Sequence, residues 1–435
     1  MFNTYQEAID WIHSRLRFGI KPGLKRMEWM LDKLGNPEKE LKAIHVGGTN
    51  GKGSTVSYIR SMLIEAGYEV GTFTSPYIEQ FNERISLNGK PIKDEEITLI
   101  TNVIKPLADE LEHTELGAPT EFEIITAMAF YYFARVHPVD FAVIEVGLGG
   151  RFDSTNVIEP LVSIITNIGM DHTQILGNTV KDIAFEKAGI IKKNKPLITC
   201  VKDHDALDVI KQAAIEKHSE MMQIDHEFFV TNYCSIESGE RFTYVSEYET
   251  FNDLELSLVG KHQTENAAGA VAAVSYLMRA GYAKLDEEEI RRGLKKAYWP
   301  GRFEILQASP AILIDGAHNP EGLRAFASAL TNRYKEKKIK IVFAALKDKD
   351  LTEMFTILEG IDAELYFTEF DFPRAAKADE LKAISGVSGV KTESDWQKLI
   401  EELTISLKSN EVLAITGSLY FISAIKSFLV HIIKK

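Results

Sequence analysis

The chain has 435 residues, of which 45% are hydrophobic and 26% are charged. These proportions are typical of a globular protein with a sizeable core, so they exclude a disordered or fibrous chain, and the length suggests about two to four domains. Asp and Glu number 63 against 50 Lys and Arg, for a formal net charge of −13. This balance argues against a nucleic-acid or membrane partner, because a broad phosphate-binding surface needs clustered cations.

The cysteine content and the apolar segments indicate a cytoplasmic protein. Cys200 and Cys234 cannot form a disulfide framework and lack zinc-site spacing, which fits a reducing compartment. Residues 1–20 contain no apolar stretch of the kind found in a signal peptide. The apolar segment 418–433 is interrupted by Lys426 and is too short to span a bilayer, so it predicts an amphipathic closing helix.

Short β-branched runs alternate with longer helical patterns, which predicts βαβ units and parallel sheets. In the first part of the chain we predict strands at 43–46, 69–73, 141–146 and 161–165, and helices at 54–66, 122–136, 180–191 and 264–278. The less regular region 203–257 contains short alternating segments and predicts a small antiparallel sheet.

A hinge is predicted near Pro300 and Gly301, because these residues interrupt regular structure. Beyond it the βα pattern resumes, with strands at 311–314, 339–344, 364–368 and 411–415 and helices at 321–334 and 351–358. We therefore predict an α/β fold of two domains. Residues 1–298 form a P-loop ATPase-like parallel sheet with a small extra β region, and residues 299–435 form a Rossmann-like α/β domain.

Residues 47–54, with the sequence GGTNGKGS, follow a predicted strand and open a predicted helix, which is the context of a phosphate-binding loop. The glycines let backbone N–H groups surround an anion, and the helix N-terminus favours negative charge. Lys52 can reach terminal phosphates, and the Ser54 hydroxyl can bind Mg2+. Gly53 separates these two residues and departs from the standard pattern, so a glycine turn without a ligand is the alternative.

The nucleotide expected at this loop is ATP. A GTP switch needs an N-K-x-D sequence to recognise guanine, whereas residues 194–197 read NKPL and lack the Asp. Glu145 ends a predicted strand beside the loop, where it can hold Mg2+ or simply cap a turn. His172 and Lys187, taken alone, are more typical of structural or solvated side chains.

Several of these segments together resemble the folylpolyglutamate synthase/dihydrofolate synthase family, a branch of the Mur ligases. They run in family order along nearly the whole chain: 45–54 (HVGGTNGKGS), 74–76 (TSP), 81–85 (FNERI), 144–153 (IEVGLGGRFD), 171–172 (DH), 186–190 (EKAGI), 301–302 (GR), 315–320 (DGAHNP) and 416–418 (TGS). Each segment is modest by itself, whereas the ordered set is specific. The glycine at position 53 is the form of this branch, whereas the peptidoglycan branch usually has Thr directly after the lysine.

The resemblance implies an ATP-dependent ligase that joins L-glutamate to the carboxylate of a folate or dihydropteroate through an acyl phosphate, releasing ADP and phosphate. It implies two Mg2+ ions and a monomer acting on small molecules. Together with the phosphate loop, it places nucleotide contacts at Asn50, Gly51, Lys52, Gly53, Ser54, Asn266, Arg302 and Asp315, Mg2+ contacts at Ser54, Ser75, Glu145 and His172, and glutamate contacts at His318 and Ser418. The expected catalytic residues are Lys52, His318 and Lys187, the last of which matches the lysine that is carbamylated in this family.

Because the phosphate loop belongs to the first predicted domain and Arg302 and Asp315 belong to the second, we expect ATP to bridge the domains and hinge closure to assemble the site. Two alternatives are a P-loop NTPase that serves as a switch or binding module, and a Mur-type ligase for an amino-sugar nucleotide. The sequence leaves open whether the first glutamate is added to dihydropteroate, existing folate chains are extended, or both.

Overall fold

A computed structural model describes residues 1–19, 21–349 and 351–433. The last two positions of the predicted second domain, Lys434 and Lys435, lie outside the described residues. The strands fall into one eight-stranded, one three-stranded and one six-stranded sheet within the described ranges. We call the described residues before 298, which contain the first two sheets, the first unit. We call the described residues after 301, which contain the six-stranded sheet, the second unit, and residues 298–301 the linker.

The strands of the first unit are β1 (Ala43–Gly47), β2 (Val70–Phe73), β3 (Ile85–Leu87), β4 (Lys90–Pro91), β5 (Phe141–Glu145), β6 (Val162–Ile165), β7 (Leu197–Thr199), β8 (Met221–Gln223), β9 (Phe228–Ile236), β10 (Gly239–Ser246) and β11 (Thr250–Leu256). Its helices are α1 (Tyr5–Ser14), α2 (Lys25–Lys33), α3 (Lys52–Glu65), α4 (Asp94–Glu112), α5 (Glu121–Tyr131), α6 (Thr173–Leu176), α7 (Val180–Ala188), α8 (His204–Glu216), α9 (Lys261–Arg279) and α10 (Glu287–Lys296).

The eight-stranded sheet has the order β4-β3-β2-β5-β1-β6-β7-β8. The six strands from β2 to β8 are parallel, and the β3–β4 hairpin extends one edge in the antiparallel direction. β1 lies between β5 and β6, with Val46 opposite Glu145 and Gly47 opposite Ile165. The phosphate loop therefore leaves the sheet directly beside the carboxyl end of β5.

Side chains alternate between the two faces of this sheet. On β5, Ala142 and Ile144 pack with α4 and α5, whereas Phe141 and Val143 pack in the cluster that includes α3 and α9. Both faces are thus covered by helices, which explains why the parallel strands are nearly continuous apolar runs. The small antiparallel sheet predicted within 203–257 is present as β11-β10-β9, which occupies 228–256. The first part of that region instead forms α8 and β8, and β8 is parallel to β7.

The strands of the second unit are β12 (Glu304–Ala308), β13 (Ala311–Ile314), β14 (Lys338–Phe343), β15 (Ala363–Phe367), β16 (Lys391–Thr392) and β17 (Glu411–Thr416). Its helices are α11 (Pro320–Arg333), α12 (Leu351–Glu359), α13 (Ala378–Ser385), α14 (Trp396–Ser406) and α15 (Leu419–Ile433). The strand order is β12-β13-β17-β14-β15-β16, with β12 antiparallel to β13 and the other pairs parallel. The predicted two-domain α/β fold class is confirmed, although the exact division at 298/299 stays a prediction.

Several local features differ from the expectations. The helix predicted at 122–136 is α-helical only as far as Tyr131, and its last turn, Tyr132–Val136, is a π-helix. The hairpin β3–β4 and the edge strand β12 were not predicted. They have two to five residues each, and only pairing with a neighbouring strand identifies them, because so short a run has no periodicity that distinguishes it from a loop.

The linker and the two units are joined by polar contacts. The Ser57 hydroxyl on α3 donates to the carbonyl of Tyr298 at 2.8 Å. Lys426 on α15 is nearly buried and pairs with Glu79 of the first unit at 2.6 Å and with Glu304 at 2.8 Å. These contacts attach the linker and the second unit to the first unit. No helix within the described ranges is long and apolar enough to cross a membrane.

We expect the core around β6 to be sensitive to truncation. Ile164 is fully buried in the cluster shared with α3 and α9, so Ile164→Ala leaves a cavity and should lower the free energy of unfolding by about 2–5 kcal/mol. The matched control is Ile215→Ala on α8, where Ile215 is 68% exposed, with an expected change within about 0.5 kcal/mol. Urea denaturation followed by circular dichroism measures both, and equal effects would contradict the assigned burial.

Candidate active site

Two adjoining cavities open where the carboxyl ends of β1 and β5 face the second unit. The P-loop cavity has a volume of about 170 Å³, and the lateral cavity beside it has a volume of about 270 Å³. Asn50, Gly51 and Arg302 line both cavities. Each cavity takes residues from both units, so the site exists only where the two sheets meet.

Every residue that the sequence analysis proposed for catalysis or for contact with ATP, Mg2+ or glutamate lines one of these cavities. The P-loop cavity contains Asn50, Gly51, Lys52, Gly53, Ser75, Glu145, His172, Lys187, Arg302, His318 and Ser418. The lateral cavity contains Asn50, Gly51, Ser54, Asn266, Arg302 and Asp315. Ser54 lines the lateral cavity together with Asn266 and Asp315, whereas Ser75, Glu145 and His172, the other three metal candidates, line the P-loop cavity.

The phosphate loop curls around its own lysine. Gly51, immediately before α3, has a φ of 84°, which favours glycine because a side chain would clash with the backbone. Lys52 donates from Nζ to the carbonyl oxygens of Gly48 and Thr49, both at 3.1 Å. The ammonium group is thus held inside the loop, where the phosphates of a nucleotide bind in this motif.

The glycine that separates Lys52 from Ser54 has a packing explanation. A Cβ at Gly53 would lie 2.5 Å from the indole ring of Trp299 in the linker. This distance is too short for any side chain at position 53 unless the linker moves. The departure from the standard P-loop pattern therefore accommodates a contact between the loop and the connection to the second unit.

Two lysines meet at one backbone carbonyl. Lys187 on α7 is buried, and its Nζ donates to the Gly48 oxygen at 3.0 Å, the same atom that Lys52 contacts. Burial lowers the pKa of Lys52, although Glu145 opposes this effect. Burial and the neighbouring Lys52 ammonium lower the pKa of Lys187 to about 7. A substantial fraction of the Lys187 amine is therefore neutral near physiological pH.

Glu145 is a buried carboxylate at the end of β5. Burial raises its pKa, and the Lys52 ammonium opposes the shift. Glu145 Oε2 accepts the backbone N–H of Ser75 at 3.2 Å, which brings the loop after β2 to the end of β5. A carboxylate and a hydroxyl thus share one wall of the P-loop cavity.

Asp171 connects the two units at the rim of the same cavity. Lys349 donates to Oδ1 at 2.6 Å, and His318 Nε2 lies 3.5 Å from Oδ2. Burial by itself raises the pKa of Asp171, but hydrogen bonding and charge from His318 and the Lys349 ammonium outweigh it, so the net pKa is lowered. The adjacent His172 keeps 44% of its side chain exposed, and its partial burial lowers the pKa to about 4 although Asp171 opposes the shift, so this imidazole is neutral at physiological pH.

In the second unit, Asp315 follows β13 and is held by its own loop and by the residue that precedes β12. Its carboxylate accepts the backbone N–H groups of Phe303 and Ala317, both at 2.8 Å. Burial raises the pKa of Asp315, and the neighbouring Arg302 opposes this shift. Arg302 and Asp315 thus line the lateral cavity together with Asn50 and Gly51 of the phosphate loop.

Several residues of the site were not selected from the sequence. Asp171 was noted only as the neighbour of His172, and Lys349 was missed although it follows the end of β14, a position where ligand-binding residues are common. Asn319 caps α11 by accepting the N–H of Gly322 at 2.8 Å. Glu321, in the first turn of α11, carries no sequence signal for its contacts with the first unit.

Comparison with known proteins identifies the family of the chain. The Mur ligase middle domain family matches residues 46–274, and the Mur ligase glutamate ligase domain family matches residues 301–419. The dihydrofolate synthase/folylpolyglutamate synthase of Bacillus subtilis (strain 168) is 51% identical over 427 residues, which cover 98% of this chain and 99% of that protein.

Solved structures show the same fold. The Mycobacterium tuberculosis folylpolyglutamate synthase complexed with ADP has a TM-score of 0.90 at 30% identity, covering 98% of each chain. A solved FPGS–AMPPCP–folate complex has a TM-score of 0.82 at 33% identity, covering 98% of this chain and all of that chain. The chain belongs to the folylpolyglutamate synthase/dihydrofolate synthase family of Mur ligases and is an ATP-dependent ligase.

Proposed function

We propose that the protein uses ATP to join L-glutamate to the carboxylate of a folate in these two cavities, and that it accepts dihydropteroate as well. The observation that carries the proposal is the convergence of Lys52, Glu145 and Lys187 of the first unit with Arg302 and His318 of the second on one cavity. The Bacillus subtilis relative, named for both activities, supports the double specificity. The division at 298/299, the monomeric state and the cytoplasmic location stay predictions.

The proposed reaction begins with transfer of the γ-phosphate to the folate carboxylate. Two anions must approach each other, and Lys52 together with the N-terminus of α3 offsets their repulsion. The resulting acyl phosphate has a good leaving group, which the carboxylate lacks. The amine of glutamate then attacks the acyl carbon, and the tetrahedral intermediate expels phosphate.

Groups from both units bind the nucleotide and glutamate. Arg302 and Asp315 contact the nucleotide in this proposal, and Asn266 reaches it from α9. His318 and Ser418 bind glutamate at the far wall of the P-loop cavity. The His318 ring is oriented because Nδ1 donates to the carbonyl of Gly316 at 2.8 Å. Closure between the units excludes water, which would otherwise hydrolyse the acyl phosphate.

The residues at the P-loop cavity fit Mg2+. A buried carboxylate with a raised pKa gains from a nearby cation, and Glu145 with the Ser75 hydroxyl offers the oxygen donors that this ion prefers. In our proposal Glu145 and Ser75 hold one ion, and Glu145 and His172 hold a second. Within the described ranges no three acidic, His or Cys side chains form a ready-made metal cage, so water and phosphate would complete the coordination. Bound Mg2+ neutralises phosphate charge.

Lys187 is suited to carbamylation. Carbon dioxide reacts with a neutral amine, and a buried lysine with a pKa of about 7 provides one. The modification replaces a cation next to Lys52 by an anion, which removes a like-charge contact and adds an oxygen ligand for Mg2+. We propose that Lys187 is carbamylated in the active protein.

An isotope experiment tests the reaction. Tetrahydrofolate or dihydropteroate labelled with heavy oxygen in its carboxylate should give one labelled oxygen in each phosphate released, because the acyl–oxygen bond breaks when glutamate attacks. Mass spectrometry of the phosphate measures the label. Unlabelled phosphate would contradict the acyl phosphate, and ATP hydrolysis independent of both the pterin acid and glutamate would favour the switch NTPase. If only one acid accepts labelled glutamate, the double specificity is wrong.

Lys52 should be essential for turnover. We expect Lys52→Ala to lower kcat by at least about 100-fold, because a preorganised cation at the transferred phosphate is removed, while the far-ultraviolet circular dichroism spectrum stays unchanged. Lys193→Ala, which removes an exposed lysine from the same unit, is the matched control and should retain full activity. Full activity of Lys52→Ala would disprove the P-loop assignment.

Carbamylation of Lys187 should depend on pH. With a pKa of about 7, about one tenth of the amine is neutral one pH unit below this value and about nine tenths one unit above it. Nuclear magnetic resonance of protein equilibrated with carbon-labelled bicarbonate should therefore show a carbamate signal that grows across this range.

The controls for that experiment are two alanine variants of α7. Lys187→Ala should lose the carbamate signal and activity, and short carboxylic acids such as acetate or formate should partly restore activity by replacing the missing carboxylate. Lys181→Ala, which removes an exposed lysine of the same helix, should keep both. A carbamate signal that persists in Lys187→Ala would assign the modification elsewhere.

A further inference from the structure

Three side-chain amides and one carboxylate join the phosphate loop directly to the second unit. They are Asn50 and Asn167 from the first unit, Asn319, which caps α11, and Glu321 in the first turn of α11, and we call this group the amide seam. The Asn319 and Asn50 side chains exchange hydrogen bonds of 3.0 and 3.3 Å. Glu321 Oε2 accepts from Asn50 Nδ2 at 3.1 Å. The seam lies at the lateral cavity, of which Asn50, Asn167 and Glu321 form part of the wall.

Asn167, two residues after β6, makes a further contact between the two sides. Its Oδ1 accepts the backbone N–H of Asn50 at 2.7 Å, and its Nδ2 donates to Glu321 Oε1 at 2.7 Å. The two partners fix the amide orientation, because a backbone N–H can only donate and an ionised carboxylate can only accept. One side chain thus holds the phosphate loop with its oxygen and α11 with its nitrogen.

The phosphate loop does not need this side chain for its attachment to β6. The Thr49 N–H already donates to the backbone carbonyl of Asn167 at 3.0 Å, and the hydroxyl of Thr49 exchanges hydrogen bonds with Gly169. What the Asn167 side chain adds is a second connection to Glu321, which also accepts from the Asn50 side chain. The adjoining Gly169 leaves room for this approach, since a Cβ there would lie 2.3 Å from Glu321 Oε2.

We propose that Asn167 is a positioning residue for ligation, which sets the phosphate loop at the correct distance from the second unit by bridging the Asn50 backbone and the Glu321 carboxylate. The reacting groups come from both units, with Lys52 on one side and Arg302 and His318 on the other. A misplacement of about 1 Å between such groups can lower a rate by about 100-fold. The inference rests on the proposed function, because it concerns the alignment of that reaction.

The two substitutions that test the seam are complementary. Asn167→Asp keeps an acceptor for the Asn50 N–H but places a second carboxylate against Glu321, so the bridge becomes repulsive. Glu321→Gln removes the charge and forces one donor to face another, because Asn50 and Asn167 both donate to this residue. We expect each single variant to lower kcat by about 10-fold or more.

The double variant, Asn167→Asp with Glu321→Gln, reverses donor and acceptor within the bridge. The new carboxylate can accept from the Asn50 N–H and from the Gln amide, and the Gln oxygen can accept from Asn50 Nδ2, so every group again has a partner. We expect kcat to recover to within about threefold of the original enzyme, since coupled neighbours depart strongly from additivity. A loss due only to altered size or general destabilisation would not be reversed.

The readouts are kcat for ADP release in the presence of the folate and glutamate, together with the thermal unfolding temperature of each variant. Asn332→Asp, the same substitution on the exposed face of α11, is the control and should behave as the original enzyme. If a single variant does not fold, the other single variant and the double variant still decide the outcome.

The outcomes separate this inference from the proposed function. If the unmodified protein shows no release of ADP that depends on folate and glutamate, the proposed function fails. If it does, and the single variants retain full kcat, or the folded double variant is no more active than the weaker single variant, the positioning role of Asn167 is overturned. Recovery in the double variant supports it.

Discussion

Two lysine side chains directed at one backbone oxygen determine the character of this site. Lys52 and Lys187 both donate to the Gly48 carbonyl, and burial lowers the pKa of both. Removing two like charges from water and placing them close together is unfavourable unless an anion arrives or one charge is lost. The phosphate of a nucleotide supplies the anion, and carbamylation of Lys187 would remove the charge. The P-loop cavity is therefore prepared for phosphate chemistry before any ligand binds.

The rest of the architecture presents this loop to a second sheet. Ligands of open parallel sheets bind beyond the carboxyl ends of the strands, and here the ends of β1 and β5 face residues that follow β13 and β17. Activation of an acid and attack by an amine need groups from both sides. The acyl phosphate between these steps must also be shielded from water. A site formed between two units satisfies both needs, whereas a site on one sheet would leave one side open to solvent.

The contact between Gly53 and Trp299 shows how tertiary packing changes a sequence motif. An ordinary P-loop places the hydroxyl residue directly after the lysine. Here the intervening glycine allows the linker indole to lie against the first turn of α3, and Ser57 on the same helix binds the linker backbone. The helix that holds the phosphates is thus in contact with the connection to the second unit. The amide seam around Asn167 forms a further link between the same two parts.

The sequence by itself determined the two-domain α/β fold, the phosphate loop and the strand-end position of Glu145. These features follow from local patterns: apolar strands, helical periodicity, and glycines between a strand and a helix. The resemblance of the ordered motifs to a known family also identified the candidate residues that line the two cavities. Only the tertiary structure decided that Ser54 faces the lateral cavity, that Lys349 pairs with Asp171, that β12 adds an antiparallel edge and that Asn167 reaches Glu321. Each of these features depends on contacts between segments distant in the chain or on pairing with a neighbouring strand. Such contacts and pairings leave no periodicity or spacing that a single sequence can reveal.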